Sequence, residues 1–108
     1  MSIIKFNTQI TVESMNRLQD QIMRDRGTTT VIFNTPGGNA QCGEEFVTFL
    51  NNLPNNKRVI LNITDMCASA GTDIIRVENE NVEIKTTSSA QWMFHTCLLY
   101  TSPSPRDS

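Results

Sequence analysis

The chain has 108 residues, of which 38% are hydrophobic and 19% are charged, and its formal net charge is −2. This length suits one domain, and the lack of a basic excess argues against a nucleic-acid-binding protein. No apolar run approaches the roughly 20 residues of a membrane-spanning helix. Three cysteines without paired spacing and a single histidine indicate neither a disulfide framework nor a zinc site, and they fit a reducing compartment.

The first third of the chain predicts a strand, a helix and a second strand. Ser2–Phe6 reads as a short strand. An amphipathic helix follows, because apolar residues recur there at three- and four-residue spacing: Val12, Met15, Leu18 and Ile22. Thr11 suits the N-cap of this helix and Gly27 its end. The β-branched and aromatic run Thr29–Asn34 predicts the second strand.

The next segments continue the alternation of helices and strands. A Thr-Pro-Gly-Gly turn at 35–38 precedes a second predicted helix, roughly 40–53, which ends at a proline. Arg58–Ile63 predicts a third strand, and the small residues 68–71 predict a short helix that reaches Arg76. Two more strands are predicted: Val82–Thr86 and Ala90–His95. Such alternation favours parallel strands joined by helical crossovers, which is an α/β fold.

Three short segments can carry chemistry, and each also has an ordinary structural explanation. The Pro36–Gly38 turn can point backbone N–H groups at a ligand, or it can simply link a strand to a helix. Ser69 lies among small residues beside the N–H of Ala70, as a nucleophile needs, but a serine there can also cap a helix. His95 is a candidate general base, although a lone histidine is often a surface residue.

The order of these segments resembles the Clp protease proteolytic subunit family. That family has an Asn-Ser-Pro-Gly-Gly loop, a Gly-x-Ala-Ala-Ser-x-Gly turn and a Met-Ile-His strand. Here the matching segments read Asn-Thr-Pro-Gly-Gly at 34–38, Asp-Met-Cys-Ala-Ser-Ala-Gly at 65–71 and Met-Phe-His at 93–95. The resemblance covers about residues 2–96. It implies a ClpP/crotonase-like β/α spiral of which only the N-terminal part is present.

By this resemblance the chain is a serine endopeptidase subunit. Ser69 would be the nucleophile, His95 its base, and the backbone N–H groups of Gly38 and Ala70 the oxyanion hole. The substrate-binding residues would be Pro36, Gly37 and Asn39, beside which an extended peptide would add as a strand. The resemblance implies a peptide or unfolded protein as substrate, a homo-oligomeric ring and an AAA+ ATPase unfoldase as partner. It implies no cofactor and a cytoplasmic protein of bacterial or phage origin. Composition and spacing already argue against a metal, nucleic acid or membrane partner.

The sequence also departs from the family and leaves alternatives open. The family's third triad residue is an Asp that follows the His, and no residue here is assigned to that role. Cys67 can be proposed as a nucleophile, but a packed, inert thiol is the expected state. Two other functions remain: a ring-forming scaffold subunit without catalysis, and an acyl-CoA enzyme on the crotonase-type fold, which needs an oxyanion hole but no Ser–His pair.

Residues 97–108 do not continue the pattern of helices and strands. They read Cys-Leu-Leu-Tyr-Thr-Ser-Pro-Ser-Pro-Arg-Asp-Ser and resemble a translated sequencing adaptor. We therefore expect a partial protease domain at 1–96 and a non-native, disordered tail at 97–108. The alternative is a natural Ser/Pro-rich terminus.

Overall fold

The computed structural model describes residues 2–94. Its elements in chain order are β1 (Ser2–Asn7), α1 (Val12–Arg24), β2 (Thr28–Asn34), α2 (Ala40–Asn51), β3 (Arg58–Ile63), β4 (Met66–Ala68), a 3₁₀ helix (Ser69–Arg76), β5 (Val82–Thr86) and β6 (Gln91–Met93). Within this range no helix is long and apolar enough to cross a bilayer. The predictions for His95 and for 97–108 lie outside the described residues.

Every strand pair in the described part of the chain is parallel. The larger sheet has the order β1-β2-β3-β5, and a smaller sheet pairs β4 with β6. Parallel neighbours need a crossover connection, and α1 and α2 supply the first two of these. The predicted α/β class with parallel strands is confirmed.

One face of the larger sheet and the two α-helices share the hydrophobic core. Alternate residues of the central strands are fully buried, as the two-residue period of a strand requires: Val31 and Phe33 in β2, and Val59, Leu61 and Ile63 in β3. α1 contributes Leu18 and Ile22, and α2 contributes Phe46 and Leu50. Aromatic rings connect the layers, because Phe33 stacks on Phe6 at 5.2 Å and on Phe46 at 5.8 Å between centroids.

α1 begins at the predicted residue, but it ends earlier than predicted. Thr11 is the N-cap: its hydroxyl accepts the N–H of Ser14, and the Ser14 hydroxyl accepts the N–H of Thr11. The helix stops at Arg24 rather than at Gly27, because Asp25 already has extended backbone with φ −89° and ψ 128°. Gly27 instead occupies the left-handed region, at φ 75°, in the turn that enters β2.

The structure corrects three further boundaries. α2 ends at Asn51, two residues before the predicted Leu53, and the short helix from Ser69 is a 3₁₀ helix. The predicted strand Ala90–His95 begins one residue later, because the Ala90 N–H is bonded to Thr87 O in a turn, and β6 ends at Met93. β4 was not predicted, since a strand of three residues carries almost no periodic signal.

Candidate active site

The glycine turn follows β2 of the larger sheet, and Ser69 follows β4 of the smaller sheet, which comes directly after β3 in the chain. Ligand sites of parallel sheets form outside the carboxyl ends of the strands, where the connecting loops meet. Here the loop after β1 meets the loop after β2, because the Ile10 N–H donates to Gly37 O at 2.8 Å and the Asn39 N–H donates to Ile10 O at 2.9 Å. The loop after β3 joins them through β4, which pairs with Thr35.

The glycine turn after β2 needs both of its glycines. Gly37 and Gly38 have φ of 107° and 148°, which residues with a side chain rarely adopt. A Cβ on Gly37 would lie 2.5 Å from Ser69 Cβ, and a Cβ on Gly38 would lie 2.2 Å from Ile10 O. The absence of side chains therefore lets this turn lie directly against Ser69.

Ser69 has an unusual backbone at the junction of β4 and the 3₁₀ helix. Its φ is 54°, and it is the one non-glycine residue with positive φ in the described range. Residues held in such sparsely populated conformations are concentrated at functional sites. A strained strand-to-helix turn also presents the nucleophile in α/β-hydrolases. The carbonyl of Ser69 is fixed by the Thr72 hydroxyl, which donates to it at 2.7 Å.

Two backbone N–H groups are available beside this serine. Among residues 2–94 the Gly38 N–H has no acceptor. Ala70 is the second residue of the 3₁₀ helix, and the first N–H groups of a helix have no partner within it. Gly38, Ser69 and Ala70 line the same open pocket, of about 480 Å³. The arrangement can therefore stabilise a developing oxyanion next to a hydroxyl group.

The pocket has apolar and charged walls. Ile75 and Phe94 expose 55% and 39% of their surfaces, and both line it. Phe94 stacks on Trp92 at 6.3 Å between centroids and directly precedes His95 in the sequence. Asp73 and Arg76 also line it and lie 3.9 Å apart, as a partly exposed ion pair that adds little stability.

Cys67 is packed below the serine turn and is not available for chemistry. Its side chain is fully buried, and this burial raises the pKa of the thiol to about 12. The thiol therefore stays protonated at neutral pH, whereas the thiolate is the nucleophilic form. In the part of the chain that the structure describes, no group of three or more His, Cys, Asp or Glu side chains can hold a metal ion.

The remaining predicted residues take different positions. Pro36 and Asn39 are exposed on the two sides of the glycine turn. The Asn39 side chain is the N-cap of α2, because its Oδ1 accepts the Cys42 N–H at 3.0 Å. His95 lies outside the described residues.

Sequence reasoning assigned no role to Asn34 beyond its place in the motif. Its side chain is 7% exposed and accepts hydrogen bonds from three successive backbone N–H groups of the loop after β3. The residue type was the one available signal in the sequence, since Asn side chains often form hydrogen bonds with backbone groups of loops. The backbone groups that Asn34 binds could not be predicted from the sequence, because they lie 30 to 32 residues further along the chain.

Comparison with known proteins supports the fold at the level of structure. No family model and no curated protein matches the sequence. The ClpP protease catalytic domain from Plasmodium falciparum superposes with a TM-score of 0.73 at 17% identity, over 87% of this chain and 53% of that one. ClpP1 from Listeria monocytogenes superposes with a TM-score of 0.69 at 20% identity, over 84% of this chain and 54% of that one. The chain thus has a ClpP-like fold and spans about half the length of these solved ClpP chains.

Proposed function

We propose that this chain carries the nucleophile and the oxyanion hole of a Clp-type serine endopeptidase. Ser69 attacks the scissile carbonyl, His95 accepts its proton, and the N–H groups of Gly38 and Ala70 bind the resulting oxyanion. The observation that carries the proposal is the contact between the glycine turn and Ser69, where a single Cβ on Gly37 would lie 2.5 Å from Ser69 Cβ. The superposition on ClpP structures supports the same reading.

The oxyanion donors are the best-supported part of the proposal. The tetrahedral intermediate of acyl transfer needs donors that are fixed before the reaction, because they then cost no reorganisation. Gly38 is fixed by the contacts of its neighbours with Ile10, on both sides of the turn. Its N–H has no acceptor within residues 2–94 and borders the pocket that also contains Ser69 and Ala70.

His95 is proposed as the base on the basis of chain position. A serine hydroxyl is a weak nucleophile and needs a hydrogen-bonded base. Phe94 lines the pocket of Ser69, and His95 is the next residue in the sequence. The acid that would orient His95 is not assigned to any residue of this sequence.

The substrate of the proposed peptidase is a peptide or an unfolded protein. An extended chain can lie along the segment 36–39, where Pro36, Gly38 and Asn39 are exposed and glycine at 38 leaves no side chain to obstruct its approach. By analogy with Clp proteases, the protein would assemble as a homo-oligomeric ring, receive substrate from an AAA+ unfoldase and act in the cytoplasm.

A fluorophosphonate probe tests the proposal, because it phosphonylates only serines that are activated as nucleophiles. The protein expressed at the full length of its gene should be labelled, with the adduct on the peptide that contains Ser69. Ser69→Ala should abolish labelling, and the control Ser88→Ala, at an exposed turn, should not change it. An oligomeric protein that is folded but unlabelled would refute the peptidase and favour a scaffold subunit.

A further inference from the structure

We propose that Asn34 is a positioning residue that sets the distance between the nucleophile turn and the oxyanion donor. This inference rests on the proposed function and adds a residue to its machinery. Asn34 is the last residue of β2, directly before the turn that contains Gly38. Its side chain points across to the loop after β3, which leads through β4 to Ser69.

Both the oxygen and the nitrogen of the Asn34 carboxamide form hydrogen bonds with that loop. Its Oδ1 accepts the N–H groups of Thr64 at 3.1 Å, Asp65 at 2.8 Å and Met66 at 3.2 Å. Its Nδ2 donates to the Thr64 hydroxyl at 2.9 Å. Three converging donors require an oxygen at this position, which fixes the orientation of the amide. One buried side chain thus fixes the backbone of three successive residues, 64–66.

The backbone next to Asn34 extends the same connection toward the serine. The Thr35 N–H donates to Met66 O at 2.9 Å, and the Ala68 N–H donates to Thr35 O at 3.0 Å. These bonds attach β4 to the strand end from which the glycine turn begins. Ser69 follows Ala68 directly, so the position of its hydroxyl relative to the Gly38 N–H depends on this join.

The consequence is that loss of the Asn34 side chain should reduce reactivity more than it reduces binding. Without the oxygen, three backbone N–H groups lose their acceptor in a partly buried site, and we expect the loop to shift toward water. A displacement of about 1 Å at a reacting group can cost about 100-fold in rate. The probe would still enter the open pocket, since Asn34 does not line it.

The test compares fluorophosphonate labelling of Ser69 in variants of the full-length protein. Asn34→Leu has nearly the same volume but no acceptor, and its maximal labelling rate should fall about 10- to 100-fold while the half-saturating probe concentration changes less than about twofold. Asn34→Asp keeps an oxygen for the three N–H groups, and the Thr64 hydroxyl can rotate to donate to it. Its labelling rate should therefore stay within about threefold of the parent.

A destabilised control separates positioning from simple loss of stability. Ile22→Ala removes a fully buried side chain of α1 that does not line the pocket, and it should lower the melting temperature without changing the labelling rate of the folded protein. If Asn34→Leu does not fold, Asn34→Ser replaces it. Its hydroxyl is a shorter acceptor, and its labelling rate should fall below that of Asn34→Asp.

The outcomes distinguish this inference from the function on which it rests. A folded parent that is not labelled at Ser69 overturns the proposed function and the positioning role together. A labelled parent with Asn34→Leu or Asn34→Ser at the parental rate overturns the positioning role alone. The same holds if Asn34→Asp is as slow as Asn34→Leu, because the acceptor oxygen would then not be what matters.

Discussion

The contact between Thr35 and Gly71 offers a quantitative test of how the two loops of the site pack. A Cβ on Gly71 would lie 2.4 Å from Thr35 Cγ2, whereas carbon atoms in contact are separated by about 3.5–4.0 Å. Thr35 is 1% exposed, so its methyl group has little room to move away. Gly71→Ala should therefore force the serine turn away from the strand end that carries the glycine turn.

The magnitude follows from opposing contributions. Overpacking a well-packed interior costs about 1–3 kcal/mol, and replacing glycine by alanine recovers about 0.5–1 kcal/mol of backbone entropy. Gly71→Ala should thus lower the free energy of unfolding by about 1–2 kcal/mol. Thr35→Ser removes one buried methyl group and should cost about 1 kcal/mol. In the double variant the alanine methyl occupies the space that the threonine methyl leaves, so its stability should lie within about 1 kcal/mol of the parent.

The assay is urea unfolding of the parent, both single variants and the double variant at one protein concentration. We expect a coupling free energy of about 2 kcal/mol in favour of the double variant, well above the roughly 0.5 kcal/mol within which independent sites add. Gly27→Ala is the matched control, since its φ of 75° is strained but no atom lies within 4 Å of the added Cβ. It should show no coupling to Thr35→Ser. Additivity of Gly71→Ala with Thr35→Ser would refute the packing described here.

Three further predictions follow from individual residues. Gly38→Ala should abolish Ser69 labelling and cost more than about 3 kcal/mol in urea unfolding, because the added Cβ would lie 2.2 Å from Ile10 O; full stability would contradict the description of the turn. Burial raises the pKa of the Cys67 thiol from 9.0 to about 12, so its contribution to stability is complete below pH 9 and falls by up to about 1.4 kcal/mol per pH unit above it. The unfolding free energy of Cys67→Ala should lack this part of the alkaline decline, and equal slopes in both proteins would contradict it. Thr11→Ala removes the N-cap of α1 and should lower the unfolding free energy by about 1 kcal/mol, with labelling unchanged; no loss of stability would show that the capping box is not formed.

Local patterns were enough to predict the main elements of the fold. The helical spacing of Met15, Leu18 and Ile22 places them on one face, and the structure confirms that this face is buried. Val12 was predicted on the same face but is 58% exposed, because it is the first residue of α1. β2 was predicted from its β-branched run, and α2 and β3 were predicted from their local patterns in the same way. Each of these predictions depends only on near neighbours in the sequence. Parallel pairing then followed from the alternation of strands and helices.

The fine structure of the site could not be predicted, because it depends on distant residues. The positive φ of Ser69 has no local signal, since serine ordinarily avoids that region. β4 exists through its pairing with β6 and with Thr35, both more than twenty residues away. At the opposite edge of the sheet, Lys57 is buried against Asp25 O and the Thr29 hydroxyl, and that burial lowers the pKa of its amine. A charged residue in a polar loop predicts exposure rather than this cluster.

The arrangement of the proposed catalytic pair can be measured directly. A crystal structure of the full-length protein, phosphonylated at the active serine or free, would give the distance from Ser69 Oγ to the nearer ring nitrogen of His95. We expect a distance of about 3 Å in the free protein, with the Gly38 and Ala70 N–H groups directed at the phosphonyl oxygen of the adduct. A histidine held more than about 7 Å from that hydroxyl in both states, beyond hydrogen-bond reach even through one water, would contradict it.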